Sequence, residues 1–352
     1  MGSVAVRILH AQPPPEAGPL TCLLADARHR LAERHLAAFR RLGADDTRLV
    51  EQPADDTPFG LRVRPLAPRA GGLVLMGSGA MPLARASDLR PFLATAGLED
   101  RIALANNRYS ADVIAVGRAE VMGAVPDLPS DNALPRWLDE VAGYRVDDLA
   151  RRWRLQLDLD SPLDVILTGA RGEPVAPDGS HVGDTIRRVA AVAADRRAEV
   201  VVAGRTSAST LRWLERTSAA RIRALVEERG LRASSPLAVA SPGTGRPRPP
   251  RSVLGLILDR DGPEAIGSVV AELGDAAIVD TRVLLAHRLG VDERSWPAPE
   301  DRFASDLLLP QRIRDPWLRA LTEAAAGASI PIILGGHTTV GPGLRLVLRR
   351  WT

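Results

Sequence analysis

Short apolar runs rich in Val, Ile, Leu and Ala alternate along the chain with longer segments whose apolar residues recur every three or four positions. Runs without polar interruptions suit strands buried on both faces, and the intervening helical segments are what would cover them. The alternation therefore predicts an α/β protein. At 352 residues the chain exceeds what one hydrophobic core ordinarily holds, so two domains are expected. The aperiodic, Gly/Pro/Asp-rich stretch 168–184 (TGARGEPVAPDGSHVGD) separates them, giving domains at residues 1–170 and 180–352.

Within the first domain the pattern predicts strands at Val4–Leu9, Thr47–Val50, Leu61–Pro65, Gly72–Met76, Ile102–Ala105, Ala111–Val116 and Arg154–Leu157, with helices at Ala27–Arg41 and Ser87–Ala96. In the second it predicts strands at Glu199–Ala203, Val253–Leu258, Ala276–Val279, Pro331–Leu334 and Leu344–Leu348. A long helix from Ser207 to Arg229 stops at Gly230, and a Pro/Gly/Arg-rich loop follows at residues 241–251. Trp296–Pro310 reads as irregular, a solvated loop, a lid or a subunit contact in a homo-oligomer.

Composition removes several classes of function. No lysine is present, so all 46 basic residues are arginine, which excludes a P-loop lysine or a Schiff base. Arginines interleave with acids to a net charge of +3, and aromatics make up 3% of the chain, which argues against a nucleic-acid-binding face. No apolar run is long enough for a membrane span and no secretory pattern opens the chain, so a cytoplasmic location without a membrane partner is expected. The single cysteine, Cys22, cannot form an internal disulfide. His29 and His35, six apart on an Arg-rich helix, do not share a face and read as surface residues.

Gly72-Leu-Val-Leu-Met-Gly-Ser-Gly-Ala-Met-Pro-Leu83, followed by Ser87-Asp88-Leu89, resembles the central strand of GT-A-like nucleotidyltransferases such as the molybdenum cofactor and phospholactate guanylyltransferases. Leu157-Asp-Leu-Asp-Ser-Pro-Leu-Asp-Val165 is similar to their closing acidic segment, with Asn106-Asn107 between. The resemblance implies a GT-A-like, Rossmann-like first domain that binds a nucleotide or phosphorylated small molecule, Mg²⁺ or Mn²⁺ held by Asp158 and Asp160, and ligand contacts from Ser78, Asn106 and Asn107. Two positions depart from the pattern. Pro13-Pro14-Pro15 stand where a Gly-rich loop would offer amides to a triphosphate, and Ser78 or Gly79 holds the place of the metal-binding aspartate. Residues 158–164 also read as a helix cap, Asp160 or Ser161 before Pro162, and Asn106-Asn107 as a polar turn.

Residues 180–352 carry no resemblance, but three expected strands end in residues that a plain connection does not need: Gly204-Arg205-Thr206-Ser207, Asp280-Thr281 and Gly335-Gly336-His337. At one edge of a parallel sheet they would converge on a ligand, Gly204 to Ser207 on an anion, Gly335 and Gly336 in close backbone contact, and Asp280 and His337 as catalytic groups. Each also has a plain role as a cap or a turn. Three functions follow: a nucleotidyltransferase-like binding protein, a non-catalytic GT-A-like scaffold with a ligand-binding second domain, or an enzyme centred on Arg205, Asp280 and His337.

Overall fold

The computed structural model describes residues 2–169, 179–228 and 249–348. They form a mixed α/β protein with two sheets, one in each of two compact units, Met1–Gly18 with Cys22–Leu159 and Pro19–Thr21 with Asp160–Thr352. The units part between Leu159 and Asp160. Residues 170–178 of the expected boundary, Gly230, and residues 241–248 of the expected loop lie outside the described residues.

The first unit comprises β1 (Val4–Gln12), α1 (Pro19–Arg41), β2 (Asp46–Pro53), α2 (Phe59–Val63), β3 (Gly72–Gly77), α3 (Ala86–Ala96), β4 (Ile102–Ala105), β5 (Val113–Val116), α4 (Leu134–Glu140) and β6 (Arg145–Asp148). Its sheet order is β2-β1-β3-β5-β4-β6, with β5 antiparallel to both neighbours and every other pair parallel. Side chains alternate across it. Val4, Val6 and Ile8 pack with Phe39, Val74, Met76 and Phe92 on one face, while Ala5, Leu73 and Leu75 pack with Ile114, Val116, Met122 and Leu138 on the other. Burial on both faces is why these strands read as unbroken apolar runs. From β1 the chain runs to β2 on one side and later to β3 on the other, so the carboxyl ends of β1 and β3 flank a topological switch point, where open α/β sheets bind ligands.

The second unit comprises α5 (Pro162–Thr168), α6 (Gly179–Ala193), β7 (Glu199–Gly204), α7 (Ala208–Thr217), β8 (Arg221–Val226), α8 (Val253–Asp261), α9 (Ile266–Leu273), β9 (Ala276–Asp280), α10 (Thr281–Leu289), α11 (Pro299–Asp306), α12 (Pro316–Ala326), β10 (Ile332–Gly335), α13 (His337–Val340) and α14 (Leu344–Val347). Its four strands run parallel in the order β10-β9-β7-β8. β8 and β9 lie on opposite sides of β7, which makes the ends of β7 and β9 a second switch point.

Several expected elements are corrected. Val253–Leu258 is the helix α8, because the Ser252 hydroxyl accepts the Gly255 amide at 3.1 Å and caps it. Leu344–Leu348 and Leu61–Pro65 are likewise helical, and Arg154–Leu157 is mostly a 3-10 turn; a short apolar run does not separate a strand from a buried helix. The long helix expected from Ser207 stops at Thr217, and residues 221–226 pair with β7 from Arg221 opposite Glu199 to Val226 opposite Gly204. There sheet pairing overrides helix propensity. The stretch expected to be irregular contains α11, with Pro299 at its first turn.

Candidate functional site

At the first switch point, the end of β1 meets the turn that leaves β3. The Ser78 amide donates to the Leu9 carbonyl at 2.9 Å, and His10 Nδ1 lies 3.1 Å from Ser78 Oγ, both side chains buried. The ring of His29, from α1, stands edge-on to His10 with centroids 5.3 Å apart. Burial first, then His29, lowers the His10 pKa below the ordinary imidazole value, so near neutral pH the ring is uncharged. Arg28 comes from the same helix, and its Nε donates to the Leu159 carbonyl at 2.7 Å. Gly79 is the backbone between these groups: a Cβ there would stand 2.7 Å from Asp158 Oδ1 and 3.1 Å from Arg28 Nε. A side chain at position 79 would therefore have to displace Asp158 or Arg28.

The structure separates the other expected residues of this half. Asn106 is fully buried; its Nδ2 donates to Asp112 Oδ2 and the Leu155 carbonyl, and its Oδ1 accepts the amides of Asp112 and Val113. Those bonds use both of its donors and both acceptor sites, so Asn106 ties the β4–β5 connection rather than contacting a ligand. Asn107, only partly buried, donates Nδ2 to Gln156 Oε1 at 3.1 Å and accepts the Tyr109 amide at Oδ1 at 3.0 Å. Asp158 lies in the first unit and the exposed Asp160 in the second. Asp164, buried at the start of α5, accepts from the Asp160 amide, the Ser161 amide and the Ser161 hydroxyl at 2.8–3.0 Å, as a helix-start cap. Among the described residues no three His, Cys, Asp or Glu side chains are grouped to hold a metal ion.

His35, expected at the surface, is buried. Its Nε2 is 3.1 Å from the Ala80 carbonyl, so the imidazole pins the turn after β3, and burial lowers its pKa to about 4. The six-residue spacing from His29 gives no sign of this, because the partner lies 45 residues away.

At the second switch point the three expected strand ends are neighbours on one parallel edge. Arg205 grips Asp280 fork to fork, Nε to Oδ2 at 2.6 Å and Nη2 to Oδ1 at 3.1 Å. Asp280 also accepts the Arg282 amide at 3.1 Å and so caps α10. Burial alone would raise the Asp280 carboxyl; Arg205, with His337 and Arg282, outweighs it and holds the group below the ordinary carboxylate range. Asp280 is thus a charged anchor for Arg205, with no proton to exchange near neutral pH. Gly204 has φ +133°, and a Cβ on it would come 2.2 Å from Asp280 Cβ, so only glycine permits the pair. Gly335 is required by packing, since its Cβ would strike Thr339 Oγ1 at 2.5 Å, whereas Gly336 has room for a side chain. His337 is exposed at the first residue of α13.

Sequence reasoning missed the layer beneath. Arg282 donates to both oxygens of Asp306, through Nη1 to Oδ1 and Nη2 to Oδ2, and Nη1 also reaches Thr281 Oγ1 at 2.9 Å. Arg282 and Asp306 are both buried, and the carboxylate holds the guanidinium protonated above its ordinary value. Asp164 is raised to about 8 by burial and by the charges of Asp160 and Asp306. The pairing partners stand 24 residues apart and Arg205 and Asp280 stand 75 apart, distances at which no local pattern operates. Two hydroxyls on this edge, Thr206 Oγ1 and Thr339 Oγ1, are buried with no hydrogen-bond partner among the described residues.

Among the described residues no helix is long and apolar enough to cross a membrane. No protein-family model matches the chain, and no curated protein matches it. Among solved structures, a crystal structure of Rv0371c from Mycobacterium tuberculosis H37Rv in complex with manganese aligns at 19% identity over 42% of this chain and 87% of that one, with a TM-score of 0.27. A crystal structure of Rv0371c without that description gives the same figures.

Proposed function

We propose that the chain binds a nucleotide or another phosphorylated small molecule at the β1/β3 switch point of a GT-A-like first unit, as a binding protein in which no nucleotidyl transfer is assigned. The observation that carries this reading is the convergence of His10, Ser78, Arg28 and His29 around Gly79 at the crevice position of an open α/β sheet. A neutral imidazole and a hydroxyl suit the hydrogen-bonding edge of a base or sugar, and the Arg28 guanidinium suits a phosphate. Three features set the limits. Pro13, Pro14 and Pro15 have no amide hydrogens for a triphosphate cradle, a side chain at position 79 would crowd Asp158 Oδ1 and Arg28 Nε, and among the described residues no three His, Cys, Asp or Glu side chains are grouped. Any Mg²⁺ or Mn²⁺ would then arrive with the phosphates of the ligand.

Thermal unfolding of the full chain with a nucleoside triphosphate, with and without Mg²⁺, tests the proposal. Binding to the native state raises Tm in proportion to RT ln(1 + [L]/Kd). The expected result is stabilisation in both conditions, reduced in Arg28→Met, which keeps most of the apolar stem and removes the guanidinium. No stabilisation by any nucleotide, or an equal response in Arg28→Met, contradicts it.

A further inference from the structure

β8 is the last strand on its side of the second sheet, and among the described residues no strand pairs with its outer edge. The Arg221 amide donates to the Ala198 carbonyl and the Glu227 amide to the Gly204 carbonyl, so the odd-numbered residues of β8 turn their backbone groups towards β7. The backbone groups of Ile222, Ala224 and Val226 therefore face outwards. Such an edge invites another strand, and proteins ordinarily blunt it with proline, an inward charge or a bulge. Here the outward residues are apolar. Val226 is 57% exposed, and Ala224 is exposed as well. Beside the strand end, where the Val253 amide meets Glu227 Oε1 at 2.6 Å, Val253 and Leu256 are also exposed. On the side of α7, Ile222 and Ala224 line an open groove with Leu211 and Glu215.

The charges along the strand say what fits this edge. Arg221 and Arg223 stand at its start, and Glu227 and Glu228 directly follow its end. A second copy related by a two-fold axis runs antiparallel, so the basic start meets the acidic end. Antiparallel pairing joins outward-facing residues to outward-facing residues, which restricts the register to even steps. Centred on Ala224, the register sets Ile222 opposite the partner's Val226, with backbone hydrogen bonds exchanged both ways, and Arg221 opposite the partner's Glu227. Moving the centre to Arg223 brings two arginines face to face, and moving it to Leu225 sets Ile222 against a glutamate. Arg221 is also the arginine able to reach across, with its side chain 74% exposed and Glu199 4.0 Å away, whereas Arg223 is held by Glu199 at 2.9 Å and by the Leu273 carbonyl at 3.0 Å.

We infer that β8 is a dimerisation edge, on which a second copy of this chain adds its own β8 antiparallel in the register centred on Ala224, joining the two four-stranded sheets into one. The contact uses only the second unit and does not rest on the nucleotide reading.

Sedimentation equilibrium of the full chain over a range of concentrations reads the dimer. Ala224→Pro removes an amide hydrogen that faces away from β7, so it blocks the added strand and spares the β7–β8 ladder. Arg221→Glu and Glu227→Arg each set like charges opposite one another at both symmetry-related positions, and keep the test open if Ala224→Pro does not fold. Each should weaken self-association about tenfold or more. Mixed in equal amounts, these two charge variants oppose unlike charges again, and the mixture should associate as the wild type does. A wild type that stays monomeric at about millimolar concentration, as it would if residues 229–248 of the same chain covered the edge, overturns the inference. So does a dimer that Ala224→Pro and Arg221→Glu leave unchanged, or a mixture that associates no better than its components.

Discussion

Breaking the Arg282–Asp306 pair should cost more than any surface substitution in the second unit, and removing both partners should restore most of the loss. Arg282 has a side chain 9% exposed and Asp306 one that is fully buried, joined by two parallel hydrogen bonds. Asp306→Leu leaves a guanidinium in the interior whose remaining side-chain hydrogen bond among the described residues is to Thr281. Removing one partner of a buried pair typically costs about 3–5 kcal/mol, whereas replacing both with apolar residues is often close to neutral. Urea unfolding followed by tryptophan fluorescence is a suitable assay, because Trp213, Trp296 and Trp317 lie in the second unit, and a Trp137→Phe/Trp153→Phe background silences two in the first. With a slope of about 1–3 kcal/mol/M, Asp306→Leu should move the midpoint down by roughly 2 M, and Arg282→Met/Asp306→Leu should recover most of it. A single variant within about 1 kcal/mol of wild type, or a double variant whose loss equals the sum of the singles, refutes the reasoning.

The raised Asp164 carboxyl keeps its proton in the folded state up to about pH 8, while in the unfolded chain it loses it near pH 4. Its contribution is therefore fully present below about pH 4 and is lost as pH rises towards 8; Asp164→Asn should flatten that slope, read as urea midpoints from pH 5 to 9. His35 has the opposite sign: lowered to about 4, it favours the folded state above its ordinary value and loses that contribution as pH falls from about 6.5 to 4. His35→Gln, which retains a donor for the Ala80 carbonyl, should remove this acid sensitivity in the same titration. Gly204→Ala forces a side chain into Asp280 at a left-handed backbone position, and should lower Tm by several degrees through a loss of roughly 3 kcal/mol or more; a Tm equal to wild type contradicts the contact.

The fold was legible where a short, wholly apolar run ended in Gly or Asp. β7, β9 and β10 could be read from Glu199–Ala203, Ala276–Val279 and Pro331–Leu334 because strands buried on both faces tolerate no polar residue and must stop at the sheet edge. The same rule misread Val253–Leu258 and Leu344–Leu348, since a helix enclosed on most sides is equally apolar and the deciding Ser252 cap lies outside the run. At the sites, Arg205 and Asp280 were visible as polar strand ends, but their mutual ion pair changes what each can do. A lone Asp280 suggested catalysis; paired, it orients Arg205. His10 was within reach of the sequence, as the first polar residue after the apolar run of β1, while Arg28 and His29 acquire their place only when α1 packs across the end of β3.

Histidine ring resonances read directly whether a nucleotide occupies the crevice at the ends of β1 and β3. His10 and His29 line that crevice, whereas His287 is buried elsewhere, its Nε2 2.9 Å from Asp259 and its Nδ1 accepting the Ser252 amide. Titrating a nucleoside triphosphate into ring-labelled protein should shift the His10 and His29 signals together with one saturation curve, leave His287 in place, and lose the response in Arg28→Met. Resonances of His10 and His29 that stay fixed while nucleotide binds, or that never move at millimolar nucleotide, contradict the account.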